Sequence, residues 1–169
     1  DIWPGKLLVK GLLHPDDASK SVELRADGVI VSNHGGRNCD CAPAPLEVLP
    51  EIVAAVGDRT TVLFDSGVRR GSDVVKALAL GAKMVLIGRS TLYGTAAAGY
   101  AGAKRALDIY RGEISRGMAQ ISCNRVSEIG RQHVAFDWEL HGSDRPAPGS
   151  RLEDSAATQL RDNVSALRR

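Results

Sequence analysis

The chain has 169 residues, 43% of them apolar and 25% charged, with a formal net charge of +2. That is enough chain for one domain with a real core, and the charge is too small to argue for nucleic acid or an anionic membrane surface as partner. No apolar run reaches the length of a membrane span, and no signal peptide opens the chain. The chain begins at Asp1 without an initiator methionine and reads as a piece of something longer or as a processed product. The cysteines are Cys39, Cys41 and Cys123. Their odd number and low density do not suit a disulfide framework, and Cys39-x-Cys41 lacks the second pair that a zinc site needs. Free thiols in a reducing cytoplasm are expected.

The pattern predicts a short strand over Lys6–Lys10, then a helix that starts near His14-Pro15-Asp16-Asp17 and contains Ala18–Arg25. A second strand follows over Ala26–Ser32. A helix over Pro45–Val56 is opened by proline and closed by Gly57. The third strand covers Thr60–Asp65. The next helix runs from Gly71 to Leu80, with Ser72 as N-cap and Gly81 at its end. Lys83–Gly88 is the fourth strand, helix resumes at Thr91, and Gly102–Gln120 forms a closing helix.

These strands are short, continuously apolar and rich in Val, Ile and Leu, as strands covered on both faces are. Their alternation with helices gives four βα units in an α/β fold. Four units cannot close an eight-stranded barrel, which needs ~250 residues, so the chain is an open sheet or half a barrel. Residues 1–123 are expected to form this domain. Residues 124–169 are expected to be a polar tail, rich in Gly142, Ser143, Pro146, Pro148, Gly149 and Ser150, with weak helical periodicity from Arg151.

Each strand delivers a chemically capable residue at its C-terminal side: Lys10, then Ser32 and His34, then Asp65, then Gly88 and Arg89. Barrel active sites are built at that end of every strand, whereas open sheets concentrate ligands at one switch point, so the barrel is favoured. Asp65-Ser66-Gly67-Val68-Arg69-Arg70-Gly71-Ser72 and Gly88-Arg89-Ser90-Thr91 both combine glycine, arginine and a following helix N-terminus. Backbone amides and the helix dipole there favour an anion, and barrel phosphate sites form after strands seven and eight. On that count the chain is the C-terminal half of a (β/α)8 barrel, with Lys10 on strand five and His34 on strand six. His34 can accept a proton near neutrality, Arg37 can grip a carboxylate with two hydrogen bonds, and Gly35-Gly36 lets the chain turn between them.

The stretches LLVKG (Leu7–Gly11), SNHGGR (Ser32–Arg37) and DSGVRRGSDVVKALALGAKMVLIGR (Asp65–Arg89) together resemble the FMN-dependent α-hydroxy acid dehydrogenases, from about Trp3 to Gln120. WPGKLLVKGLL, CDCAPAPLEVLP and Ser66 lean towards the mandelate dehydrogenases within that family. The resemblance implies FMN as cofactor and oxidation of an (S)-2-hydroxy acid to the 2-oxo acid. It implies His34 as base, Arg37 as carboxylate clamp, and Lys10 beside the flavin N1–C2=O edge, where it would stabilise the reduced ring. Ser32 would contact the flavin. Asp65, Ser66, Gly67, Val68 and Arg69 would lie near the ribityl chain and phosphate, and Gly88 and Arg89 would complete the phosphate site.

Oxygen or a quinone would be the electron acceptor, and lactate or glycolate are alternative substrates. A homo-oligomer, a homotetramer, is expected, in the cytoplasm or membrane-associated through an N-terminal half that this chain lacks. That half would also supply the carboxylate partner of the histidine. The rival reading is a non-catalytic half barrel serving as a fragment or assembly module. A different phosphate-binding barrel, such as one for a sugar phosphate, fits less well with Lys10, His34 and Arg37 together.

Overall fold

The computed structural model describes residues 3–141. The element order is β1 (Leu8–Leu12), α1 (Pro15–Glu23), β2 (Gly28–Val31), α2 (Pro45–Val56), β3 (Thr61–Phe64), α3 (Gly71–Ala79), β4 (Met84–Val85) and α4 (Arg89–Gln120). The strands form one parallel sheet in the order β1-β2-β3-β4. Each strand is followed by a helix, which is the architecture of half a (β/α)8 barrel.

The register assigns the two faces of the sheet. Val9, Val29 and Val62 are partners across three strands, and Val31 and Phe64 follow at the same period. Val29, Val31, Val62 and Phe64 are at most 2% exposed, and α1, α2 and α3 pack against the sheet. Helix α2 contributes Leu49, Ile52 and Val56, all fully buried. Burying side chains of this size gives roughly 1.5–3 kcal/mol each, which makes the strand–helix seam the main source of stability.

The other face carries Leu8 and Lys10 of β1, Gly28 and Ile30 of β2, Leu63 of β3 and Met84 of β4. Leu8 and Met84, at the two rims, are 45% and 59% exposed. Ser32 and Asp65 continue this face just past β2 and β3, so one register brings Lys10, Ser32 and Asp65 to the same side.

The structure shifts several predicted boundaries. Strand β1 starts two residues later than expected, so Lys10 lies at its centre, next to a register shift between Lys10 and Leu12. β4 is shorter than its apolar run, because only Met84 and Val85 pair with β3. Ser72 is not the cap of α3. The Asp73 carboxylate reaches back to the amides of Arg69 and Arg70, both at 2.9 Å, as a residue at the third helical position can. Helix α4 contains a reversal at Ala98–Gly99, and its arms touch where Gly94 meets Gly102. The predicted closing helix is its second arm.

The first compact unit runs to Val134, with Ile129 and Val134 packed with Cys123 against Val75 and Ala79 of α3. The short helix α5 (Asp137–His141) belongs to a second unit that begins at Ala135. The remainder of the predicted tail lies outside the described residues.

Helices α3 and α4 meet at Gly71, whose amide donates to Glu113 Oε2 at 2.7 Å. A Cβ there would lie 2.5 Å from both Glu113 Cβ and Ile114 N. Gly71→Ala is therefore expected to force the helices apart and cost about 1–3 kcal/mol. Urea unfolding checks this: the midpoint should fall while the slope stays unchanged.

Candidate active site

Lys10 is the hub of the site. Its Nζ lies 2.7 Å from Asp65 Oδ2 and donates to Ser32 Oγ at 3.0 Å. Ser66 Oγ donates to Asp65 Oδ1 at 2.8 Å and accepts from the Gly35 amide at 3.1 Å. Ser32 Oγ also accepts from the His34 amide at 3.1 Å. The ends of β1, β2 and β3 are thus joined by one polar network.

Two residues of this network hold backbone angles that side chains rarely adopt: His34 at φ 57° and Ser66 at φ 77°. Each costs of order 1–3 kcal/mol, a strain that surrounding contacts must offset. Ser66 has its hydrogen bonds to Asp65 and Gly35 to do so. At His34 the offset comes from Ser32 and from Gly11. Gly11, at φ 105° beside the irregularity in β1, leaves room for the imidazole, since a Cβ there would lie 2.6 Å from His34 Cε1. The ring nitrogens of His34 make no hydrogen bond among the described residues.

Asp65 is held below the ordinary carboxylate range. Burial pushes its pKa up, but hydrogen bonds from Lys10, Ser32 and Ser66, with the charge of Lys10, together outweigh that push.

A cavity of about 1000 Å³ opens over this network. Lys10, His34, Arg37, Asp65, Ser66, Gly67, Val68, Arg69, Gly88 and Arg89 line it. Ser32 does not line it. Its side chain is fully buried, and its Oγ accepts hydrogen bonds from Lys10 and the His34 amide. Arg37 keeps only one contact to its own turn, Nε to the His34 carbonyl at 3.3 Å, and its guanidinium is exposed to the cavity. Arg89 Nη2 donates to the Gly35 carbonyl at 3.0 Å, which ties the start of α4 to the His34 turn.

The two glycine–arginine loops differ. The amides leading into α3 are engaged from within the chain, those of Arg69 and Arg70 by Asp73 and that of Gly71 by Glu113. Gly67 and Gly88 have nothing within 4 Å of where a Cβ would be, so the backbone there faces open cavity. This glycine pair, the start of α4, and the charges of Arg69 and Arg89 are what stays open on this side of the cavity.

Sequence reading missed Gly11 and Tyr110. Tyr110 is 6% exposed and its Oη donates to the Val68 carbonyl at 3.0 Å. Its single proton is thereby used, so Ser90 Oγ donates to it, at 2.6 Å. Tyr110 thus braces one cavity loop against the other. A lone tyrosine in a polar helix carries no such signal. Gly11, directly after an inward lysine, could have been found as a place where another group approaches the strand.

The family profile described as FMN-dependent dehydrogenase matches residues 1–136. The chain belongs to that family. It is 53% identical over 134 residues to (S)-mandelate dehydrogenase of Pseudomonas putida, covering 79% of this chain and 34% of that protein. It is 52% identical over 136 residues to a peroxisomal (S)-2-hydroxyacid oxidase of Arabidopsis thaliana, covering 80% of this chain and 38% of the relative. A crystal structure of the monotopic membrane protein (S)-mandelate dehydrogenase superposes with a TM-score of 0.76 at 53% identity, over 79% of this chain and 35% of that one. The chain thus spans between a third and two fifths of the length of these relatives.

The lowered pKa of Asp65 has a consequence in acid. Its ionised form contributes stability that is present above the ordinary value of 3.8 and is lost as the pH falls through the lowered one. Asp65→Asn should be less stable at neutral pH, where Lys10 loses its partner, and its stability should fall less steeply below pH 3.8 than that of the unaltered chain. Urea unfolding at a series of acid pH values tests the convergence.

Proposed function

We propose that this chain forms the FMN and substrate side of an enzyme that oxidises an (S)-2-hydroxy acid to the 2-oxo acid. The observation that carries the reading is the convergence of Lys10, His34 and Arg37 on one cavity with the glycine–arginine pair Gly88-Arg89. The donor set fits FMN: an open glycine cradle at Gly67 and Gly88 with Arg69 and Arg89 for the phosphate, and a lysine cation held by Asp65 for the ring. When bound, FMN supplies the acceptor for two electrons. Arg37 holds the substrate carboxylate, and His34 takes a proton from the substrate at a ring nitrogen. Lys10, fixed by Asp65 and Ser32, keeps a positive charge where negative charge develops.

An aromatic, mandelate-like acid is the favoured substrate. The identity to mandelate dehydrogenase supports it, as does the apolar cavity wall of Leu86, Leu92 and Tyr93. A relative named as L-lactate oxidase, 48% identical over 126 residues, makes lactate with oxygen as acceptor the second reading.

The working enzyme includes a further set of βα units packed on this sheet. Two facts support that: β1 and β4 each pair on one side only among the described residues, and Leu8 and Met84 lie exposed at those rims. Membrane association, which the mandelate dehydrogenase structure has by its name, would come through those units. No helix among the described residues is long and apolar enough to cross a membrane.

The test is the visible spectrum of the full-length protein with FMN, under anaerobic conditions, before and after (S)-mandelate and then (S)-lactate. Bleaching by mandelate supports the reading, and a protein that binds no FMN or never bleaches overturns it. His34→Gln should keep FMN affinity and slow bleaching by roughly 10²–10⁴-fold. Gly11→Ala, which crowds the imidazole, should slow bleaching while leaving the flavin spectrum in place.

A further inference from the structure

Cys39 and Cys41 have no part in the site described above. Both are exposed, and they lie in the segment that leads from Arg37 to α2. Their Sγ atoms are 3.0 Å apart. A disulfide bond is about 2.0 Å long, so about one ångström of side-chain movement separates contact from bond formation. The backbone is already bent for it, since Asp40 and Cys41 lie in a turn. The Cys41 thiol is pushed up, chiefly by its hydrogen bond with Cys39.

A metal is the poorer occupant. Two thiolates supply half of a tetrahedral set, and no group of three or more His, Cys, Asp or Glu able to hold a metal occurs among the described residues.

We propose that Cys39 and Cys41 form a reversible dithiol–disulfide site that reacts with low-molecular-weight disulfides. One cysteine of the pair, as its thiolate, attacks one sulfur of the small disulfide and expels a thiolate, leaving a mixed disulfide on itself. The other then loses its proton to solvent and attacks the protein sulfur of that mixed disulfide, which expels the second small thiolate. Two electrons pass from the cysteine pair to the small disulfide, which leaves as two thiols. A ring that spans one intervening residue is strained, and strained, exposed disulfides are the readily reduced kind.

Closing the ring stiffens the turn two residues after Arg37. Arg37 is held to its own turn only by the 3.3 Å contact with the His34 carbonyl, so its reach into the cavity depends on that segment. Oxidation is therefore expected to change the KM for the hydroxy acid several-fold with kcat little altered. This consequence rests on the role proposed for Arg37, whereas the thiol chemistry stands without it.

The full-length protein is incubated with oxidised glutathione, freed of it, and read by intact mass and peptide mapping, with buried Cys123 as internal control. The expected product is a Cys39–Cys41 disulfide, two hydrogens lighter and restored by dithiothreitol. Cys41→Ser should stop at the glutathione adduct on Cys39. A wild type that stays fully reduced, ends as a stable adduct, or links two chains would overturn the site. Steady-state kinetics on the oxidised and reduced forms then test the link to Arg37. An unchanged KM with the disulfide present refutes the link and leaves the site standing. A reduced, FMN-loaded protein that oxidises no hydroxy acid refutes the proposed function, while the mass result still decides the site.

Discussion

The ion pair between Lys10 and Asp65 is the interaction on which the site depends. It joins β1 to the end of β3 across β2, and Ser32, at the end of β2, accepts a hydrogen bond from the same ammonium. The pair exists because the sheet is parallel and in register. Lys10, Ile30 and Leu63 are partners along one row, and the residues two positions beyond Ile30 and Leu63 are Ser32 and Asp65. A slip of one residue in β2 or β3 would send Ser32 or Asp65 to the helix face among buried valines. The apolar packing of Val29, Val31, Val62 and Phe64 therefore also fixes the polar geometry on the opposite side.

From that network the strained turns follow. His34 and Ser66 both hold positive φ, and each is anchored through a serine hydroxyl, Ser32 Oγ for the His34 amide and Ser66 Oγ for the Gly35 amide. The result is a stiff platform for an imidazole that makes no hydrogen bond of its own among the described residues. Gly11 gives the ring its place, and Arg89 closes the far side by gripping the Gly35 carbonyl. Tyr110 extends the bracing to the anion loops by tying Val68 to Ser90. Of the cavity's cations, Lys10 is held by Asp65 and Ser32 and Arg89 by the Gly35 carbonyl, whereas the Arg37 and Arg69 side chains are exposed.

The two glycine–arginine loops show why a motif is not yet a site. Both glycine–arginine loops precede a helix, and by sequence they are equivalent. In the fold, the amides leading into α3 are taken by Asp73 from its own first turn and by Glu113 from 42 residues away. An N-terminus already satisfied by two carboxylates has little left to offer a phosphate. Gly67 and Gly88 retain open backbone, and the asymmetry is a product of α4 folding back over α3.

The sequence by itself determined the alternation of strand and helix, the parallel sheet, and the residue types at its C-terminal ends, because those are written in local periodicity and in glycine and proline spacing. It also marked Lys10 on the first apolar run, and His34, Arg37, Asp65 and the two loops a short step beyond an apolar strand. Only the tertiary structure decided that Ser32 is a buried support, that Gly11 makes room for His34, that Tyr110 braces two loops, and that residues as far as Val134 belong to the first unit. Those outcomes depend on contacts between residues far apart in the chain, or on the space a missing side chain leaves for a neighbour. Apart from the glycine that follows Lys10, no local pattern points to them, so they emerge only when the sheet sets its register and the helices close over it.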